Sequence, residues 1–167
     1  PVSILARLID KIDSPFLGAC LDTGNSVAAL EPPAIVIESL APYARCLHIK
    51  DFRFRRLDHG LGYAVEGCPL GEGCVDIETA FTSLRGDQPI ESVILEQWTP
   101  YQGTIDETIR VQDEWVIHGL GFLRNMVERL QLGTGNLSRG LSILDGNTAQ
   151  RWRPGVRFSH PPNQGRC

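Results

Sequence analysis

Three short, nearly unbroken apolar runs, FLGACL, ARCLHI and SVIL, are separated by segments whose apolar residues recur at helical spacing. This alternation restricts the fold more than any other feature of the chain. Apolar runs of this length bounded by turn residues read as strands. Strands that alternate with helices build right-handed βαβ units around a parallel sheet. Strands of such a sheet are buried on both faces, so they lack the polar alternation of a half-exposed strand.

Residues 2–12 place Ile4, Leu5, Leu8, Ile9 and Ile12 on a helix that Asp13-Ser14-Pro15 stops. Phe16 to Leu21 is the first strand, and Asp22-Thr23-Gly24-Asn25 the turn after it, with Ser26 as a cap for the next segment. Pro33 suits the first turn of a helix that continues from Ala34 to Leu40. Ala44 to Ile49 is the second strand, and residues 52–75 read as a long loop rich in Gly and Arg. Asp76 caps a short helix from Ile77 to Leu84, and Ser92 to Leu95 is the third strand. A long amphipathic helix runs from about Thr104 to Leu132, with Ile109, Val116, Leu120, Leu123 and Val127 toward one side. Residues 133–167 lose this periodicity and are rich in Gly, Pro, Asn and Arg, as expected of a disordered basic tail. Trp152 and Phe158 among its arginines would mark a contact surface if the tail binds a partner.

Each apolar run ends on a metal-ligand side chain: Asp22, His48 and Glu96. Carboxylate and imidazole suit Mn²⁺, Mg²⁺, Co²⁺ or Zn²⁺. The C-terminal ends of parallel strands lie on one side of a sheet, so the three side chains can converge there. Each residue also has a purely structural reading. Asp22 would bond its own backbone in an Asx-turn. His48 would be a satisfied core imidazole. Glu96 is the hardest to explain this way, because a carboxylate behind Val-Ile-Leu needs a partner. Lys50, Arg53 and Arg55 follow His48 closely and would bind substrate oxygens or phosphate, or simply line a solvated loop. The glycine-rich PLGEG stretch matches neither a Walker nor a Rossmann pattern, and reads as a turn leading to Asp76. There is no GxSxG nucleophile motif, and His59, His118 and His160 lack ligand partners at usable spacing.

Composition narrows the function further. The formal net charge is −4, yet residues 133–167 carry five arginines against Asp145 alone, so the remainder is strongly acidic. An acidic body argues against nucleic acid as the main partner. No apolar run spans a membrane, and no signal peptide is visible. The five cysteines form no CxxC pair and their count is odd, which fits a reduced, cytoplasmic setting rather than a disulfide framework. Cys20 and Cys46 fall inside strands, where a thiol behaves as a small hydrophobe.

The segments LDTGN, LHIKD, PLGEGCVD and VILEQ, in this order and at these separations, resemble the C-terminal half of the sugar phosphate isomerase/epimerase family. The later DEWVIHGLGFLR resembles that family's last barrel helix, so the likeness covers roughly residues 1–130. The resemblance implies part of a xylose isomerase-like (β/α)8 TIM barrel over residues 1–132, comprising strands six to eight. It also implies a divalent metal ion held by Asp22, His48 and Glu96, together with another Glu from strand five that would precede Pro1. Asn25 and Lys50 would contact a small sugar substrate, and Glu96 would combine ligand and acid/base roles. The implied reaction is isomerisation or epimerisation of a sugar, keto-sugar or sugar phosphate through an enediolate.

Pro1 is not a start methionine, and the chain opens inside a periodic segment, as expected of a processed chain or a piece of a longer one. Three strands are too few to close a barrel, so a missing N-terminal half or a second copy is expected to complete it, and little isomerase turnover is expected from residues 1–167 alone. A sugar dehydratase on the same fold is the alternative activity, and an apurinic endonuclease fits the acidic body poorly. A non-catalytic remnant or binding module is the alternative from another class.

Overall fold

A computed structural model describes residues 1–84 and 90–130. The expected tail at 133–167, with Trp152, Phe158 and His160, lies outside the described residues. Helix α1 (Val2–Ile12) leads to strand β1 (Ala19–Asp22), a 3-10 turn at Asn25–Ala29 and helix α2 (Pro33–Leu40). Strand β2 (Ala44–Ile49) runs into β3 (Asp51–Arg56), which turns back as β4 (Tyr63–Cys68). Helix α3 (Ile77–Ser83), strand β5 (Ser92–Leu95) and helix α4 (Ile105–Arg129) complete the described chain. Strands β1, β2 and β5 form one parallel sheet in the order β1-β2-β5. Parallel strands alternating with helices in this way are part of a TIM barrel.

The sheet is two-faced. Leu21, Leu47 and Ile49 are fully buried against the helices, where they meet Ile37 and Leu40 of α2 and Ala80 and Phe81 of α3 in one core. The opposite face carries Cys20 and Asp22 on β1, Cys46 and His48 on β2, and Ile94 on β5, with Glu96 directly after β5. It is partly open: Cys20 is exposed and Ile94 is 44% exposed. The expectation of burial on both faces is therefore corrected, because no layer of the described chain covers this side.

Several other readings change. The long loop expected at 52–75 contains an antiparallel hairpin, with Asp51 opposite Cys68 and Arg56 opposite Tyr63. Ser26 is not a cap. It lies inside the 3-10 turn, and Asp22 Oδ1 takes the backbone N–H groups of Gly24 and Asn25, both at 2.8 Å. On α4 the buried row is Gly119, Leu123 and Met126, while Ile109 is 53% and Leu120 38% exposed. Gly119 turns the helix to this face, since a Cβ there would lie 2.8 Å from Leu95 Cδ2. Strand β1 starts at Ala19 rather than at Phe16, which is 99% exposed. No helix among the described residues is long and apolar enough to cross a membrane.

The hairpin and the glycine-rich loop are pinned by Asp51, which is 3% exposed. Its Oδ1 accepts N–H bonds from Phe52 at 2.9 Å and Val75 at 3.1 Å, and its Oδ2 accepts from Gly71 at 3.0 Å and Gly73 at 2.9 Å. A Cβ on Gly73 would strike the Asp51 carboxylate and the Phe52 carbonyl, so only glycine lets the loop approach this closely. His118 Nε2 lies 3.0 Å from the Leu70 carbonyl and Phe122 packs where a Gly71 side chain would be, so α4 holds the same loop from the other side.

Asp51 and the α3 cap Asp76 each make a testable contribution to stability. Asp51→Ala strands buried N–H groups and is expected to cost on the order of 3 kcal/mol in urea unfolding. Asp76, the N-cap of α3, accepts from Thr79 N at 2.9 Å and from Thr79 Oγ1 at 2.7 Å, bonds that hold its carboxyl below the ordinary carboxylate range. A depressed carboxyl contributes stability above its unfolded pKa and loses it as pH falls through the folded value. Asp76→Ala is therefore expected to cost about 1 kcal/mol at neutral pH, with the gap to the parent chain closing below the usual Asp range. Thermal unfolding of both chains across acid pH measures this.

Candidate active site

The parallel register sets the site. Asp22 lies opposite His48, and His48 opposite Ile94, two residues before Glu96. The chain continues this pairing past the strand ends. Thr23 N donates to the His48 carbonyl at 3.1 Å, and Glu96 N donates to the Ile49 carbonyl at 2.8 Å. Thr23, which is fully buried, clasps the end of β2: its Oγ1 donates to the Lys50 carbonyl at 2.7 Å and accepts from Lys50 N at 2.9 Å. The three ligand-type residues thus project from adjacent positions on one face. One donor atom from each of Asp22, His48 and Glu96 lies within 4.8 Å of the others.

Lys50 occupies the centre of this group. It is 1% exposed, and its Nζ lies 2.7 Å from Glu96 Oε1, 3.1 Å from Asp22 Oδ2 and 3.1 Å from Asn25 Oδ1. The ammonium also sits 4.6 Å from the centre of the Trp98 ring, at cation–π distance. Gly24 leaves room for the lysine stem, since a Cβ there would lie 2.8 Å from Lys50 Cγ and Cδ. His48 Nδ1 is 3.3 Å from Glu96 Oε2 and 3.9 Å from Asp22 Oδ2.

Asp22 uses its two oxygens differently. Oδ1 closes the Asx-turn, so the structural reading of this residue holds for one atom. Oδ2 is buried and makes no hydrogen bond, although Lys50 Nζ is at ion-pair distance. The short separation is an ion-pair contact. An under-satisfied buried carboxylate oxygen beside an imidazole and a second carboxylate suits a divalent cation, and the oxygen and nitrogen donors match Mn²⁺, Mg²⁺ or Zn²⁺.

The sequence-read substrate residues divide. Asn25 and Lys50 are brought together with Asp22 and Glu96. Arg53 and Arg55 are not: both are on the β3 edge of the hairpin, Arg53 is exposed, and Arg55 pairs with Glu66 and approaches Asp58 at 3.9 Å. Residues 53–56 of β3 are all exposed, which leaves both arginines facing solvent. Thr23, Asp51 and Trp98 were not singled out from sequence. Trp98 had a usable signal, since it follows Glu96 by two and so shares its side in an extended chain.

One layer back along the strands, the Cys20 thiol is pushed up to about 11, first by partial desolvation, then by the neighbouring Cys46 thiol and by the charges of Asp22 and Glu96.

The model of the xylose isomerase-like TIM barrel family matches residues 3–126. The chain belongs to that family. It is 44% identical over 116 residues to a 3-oxo-isoapionate decarboxylase of Pectobacterium atrosepticum, a match covering 70% of this chain and 42% of that protein. It also superposes on the crystal structure of a xylose isomerase domain protein from Planctomyces limnophilus with a TM-score of 0.55. That pair is 20% identical over 77% of this chain and 44% of the other, and shares the fold. The chain spans less than half the length of either relative.

Within this barrel site, the Lys50 ammonium offsets two carboxylates that would otherwise face each other. Lys50→Met is expected to lower stability by on the order of 3 kcal/mol, because it leaves partly buried charge unpaired. A double-mutant cycle with Asp22→Asn, read by urea unfolding, is expected to return a coupling of about 1–3 kcal/mol. Strict additivity would contradict the contact.

Proposed function

We propose that this chain carries the metal-binding and proton-transfer residues of an enzyme that forms an enediolate from a sugar-derived 3-oxo acid by loss of CO2. The observation that carries this reading is the convergence of Asp22, His48 and Glu96 around the buried Lys50. The decarboxylase relative supplies the choice of bond to break.

Asp22, His48 and Glu96 would hold the divalent cation. When bound, such an ion acts as a Lewis acid on a ketone oxygen and a neighbouring hydroxyl. The remaining work falls to the chain's own groups. Lys50, backed by Trp98 and oriented by Asn25, places a positive charge where an oxyanion develops. The bond between the carboxylate and the α-carbon breaks, and its electron pair moves through the carbonyl carbon onto the ketone oxygen. CO2 leaves. Glu96, whose side chain is 38% exposed, would deliver a proton from solvent to the α-carbon to regenerate the ketone. Asn25 and Lys50 are the residues proposed to contact the sugar hydroxyls.

Isomerisation or epimerisation is the second reading. There no C–C bond breaks: Glu96 takes a proton from the carbon beside the ketone of a keto-sugar to form an enediolate, and return of that proton to the adjoining carbon gives the isomer. The accessible Glu96 carboxylate beside His48 at 3.3 Å favours keeping it.

The test supplies Mn²⁺ and a 3-oxo sugar acid, follows CO2 release, and assays keto-sugar isomerisation in parallel. Mn²⁺ affinity is expected to fall at least tenfold in His48→Ala and Asp22→Asn, as loss of a direct ligand should cost no less than loss of a supporting one. Glu96→Gln is expected to lower kcat by about 10²–10⁴-fold with a smaller change in KM. Metal binding that is unchanged by either ligand substitution would sink the proposal.

A further inference from the structure

The open face of the sheet carries a second group of donors that the proposed reaction does not use. Cys20 and Cys46 are register partners on β1 and β2, two residues before Asp22 and His48. One donor atom each from Cys20, Cys46 and His48 lies within 4.8 Å of the others. A tetrahedral zinc ion with Zn–S bonds of ~2.3 Å separates two sulfurs by about 3.8 Å, which fits inside that limit. Ser92 Oγ donates to Cys46 Sγ at 3.1 Å, the kind of supporting hydrogen bond that steadies a sulfur ligand. A cleft of about 350 Å³ lined by Phe16, Ala19, Cys20, Arg45, Cys46 and Glu91 opens beside both sulfurs and provides a route in.

We propose that Cys20, Cys46 and His48 form a second metal site, for a thiophilic divalent cation such as Zn²⁺ or Cd²⁺. Two sulfurs and one nitrogen are soft donors, unlike the oxygen-rich set of Asp22 and Glu96, so the two groups select different ions. Binding displaces one proton from each thiol to solvent and creates two metal–thiolate bonds, with no change in oxidation state. Two thiolates and a neutral imidazole balance the ion's charge, so the occupied site leaves no net charge against the sheet. Three protein ligands leave a fourth position for water.

His48 belongs to both donor groups. A soft ion in the lower site therefore withdraws His48 from the upper one, and the two ions compete. This consequence, unlike the sulfur site itself, rests on the function proposed for Asp22, His48 and Glu96.

The experiment is a Cd²⁺ titration of the reduced 167-residue chain, read by the ultraviolet charge-transfer absorbance of thiolate–Cd²⁺ bonds. One equivalent is expected to saturate the band. Cys20→Ser and Cys46→Ser are expected to remove most of it, while Cys74→Ser and Asp22→Asn keep it. A band that survives both cysteine substitutions, or no band in the parent chain, overturns the proposal. A second readout avoids any effect of the substitutions on folding. In the unaltered chain Cd²⁺ is expected to slow alkylation of Cys20 and Cys46 several-fold, mapped by peptide mass, while the exposed Cys74 reacts as before. Equal alkylation rates with and without Cd²⁺ overturn the proposal. Mn²⁺ binding that is lost in Asp22→Asn while the Cd²⁺ band remains separates this site from the upper one.

Discussion

Charge balance around a single buried ammonium organises the site. Asp22 and Glu96 approach from strands on either side of β2, and their mutual repulsion would drive them apart without a cation between them. Lys50 supplies that cation from the end of β2 itself, at 3.1 and 2.7 Å. An ammonium so poorly exposed is stable only where its charge is compensated, and here the Asn25 amide oxygen accepts a hydrogen bond while two carboxylates and an indole face offset the charge. The consequence is chemical as well as structural. A divalent ion drawn to the same carboxylates must share them with Lys50 or displace it. In the proposed enzyme the lysine would tune metal affinity downward while keeping the ligands arranged, and would become available to a substrate oxygen once the carboxylates turn to the ion.

That arrangement depends on the backbone just beyond the strand. Thr23 ties the end of β1 to the end of β2 through Lys50's own amide and carbonyl, and Asp51 fixes the next residue by accepting four backbone N–H bonds. The glycine-rich loop is thereby a packing partner of the site rather than a phosphate cradle. Its glycines are needed because Asp51 and Phe122 occupy the space where side chains would be. The two motifs HIKD and PLGEG are halves of one hydrogen-bonded unit, which gives a physical reason for their appearing in the same chain.

How much of this was legible depended on how local the signal was. The bounds of β2 and β5 could be read residue by residue, because each is an apolar run cut off sharply by a polar residue. Asp22, His48 and Glu96 were legible as strand-end residues, and parallel pairing then brings them together without further information. The hairpin was overlooked because its arginines suggested a solvated loop, although the Phe52-Arg53-Phe54-Arg55 alternation and the Gly60-Leu61-Gly62 turn carry a strand signal. The roles of Thr23 and Asp51 had no local signal at all. A buried threonine or aspartate is meaningful only once the partner N–H groups, up to 24 positions away for Asp51 and Val75, are placed in space. The rotation of α4 was similarly hidden, since it is set by Gly119 against Leu95 and not by the helix's most hydrophobic stripe.

The two-residue period of a strand explains why one sheet face can hold two unlike donor sets. On β1 it places Cys20 beneath Asp22, and on β2 it places Cys46 beneath His48, about 6.6 Å apart along each strand at the usual rise. The sulfurs lie one layer back from the strand ends, the oxygens at the ends, and the imidazole belongs to both donor groups. Hard ions that bind oxygen gain little from the lower layer, while soft ions gain most from it. His48 is then the residue whose allegiance decides which layer is filled. Glu96 Oε2 at 3.3 Å biases the ring toward the rim by giving its Nδ1 a carboxylate partner. In the proposed two-site arrangement that contact would favour the oxygen layer, while the sulfurs remain one layer back along the strands at ligand distance.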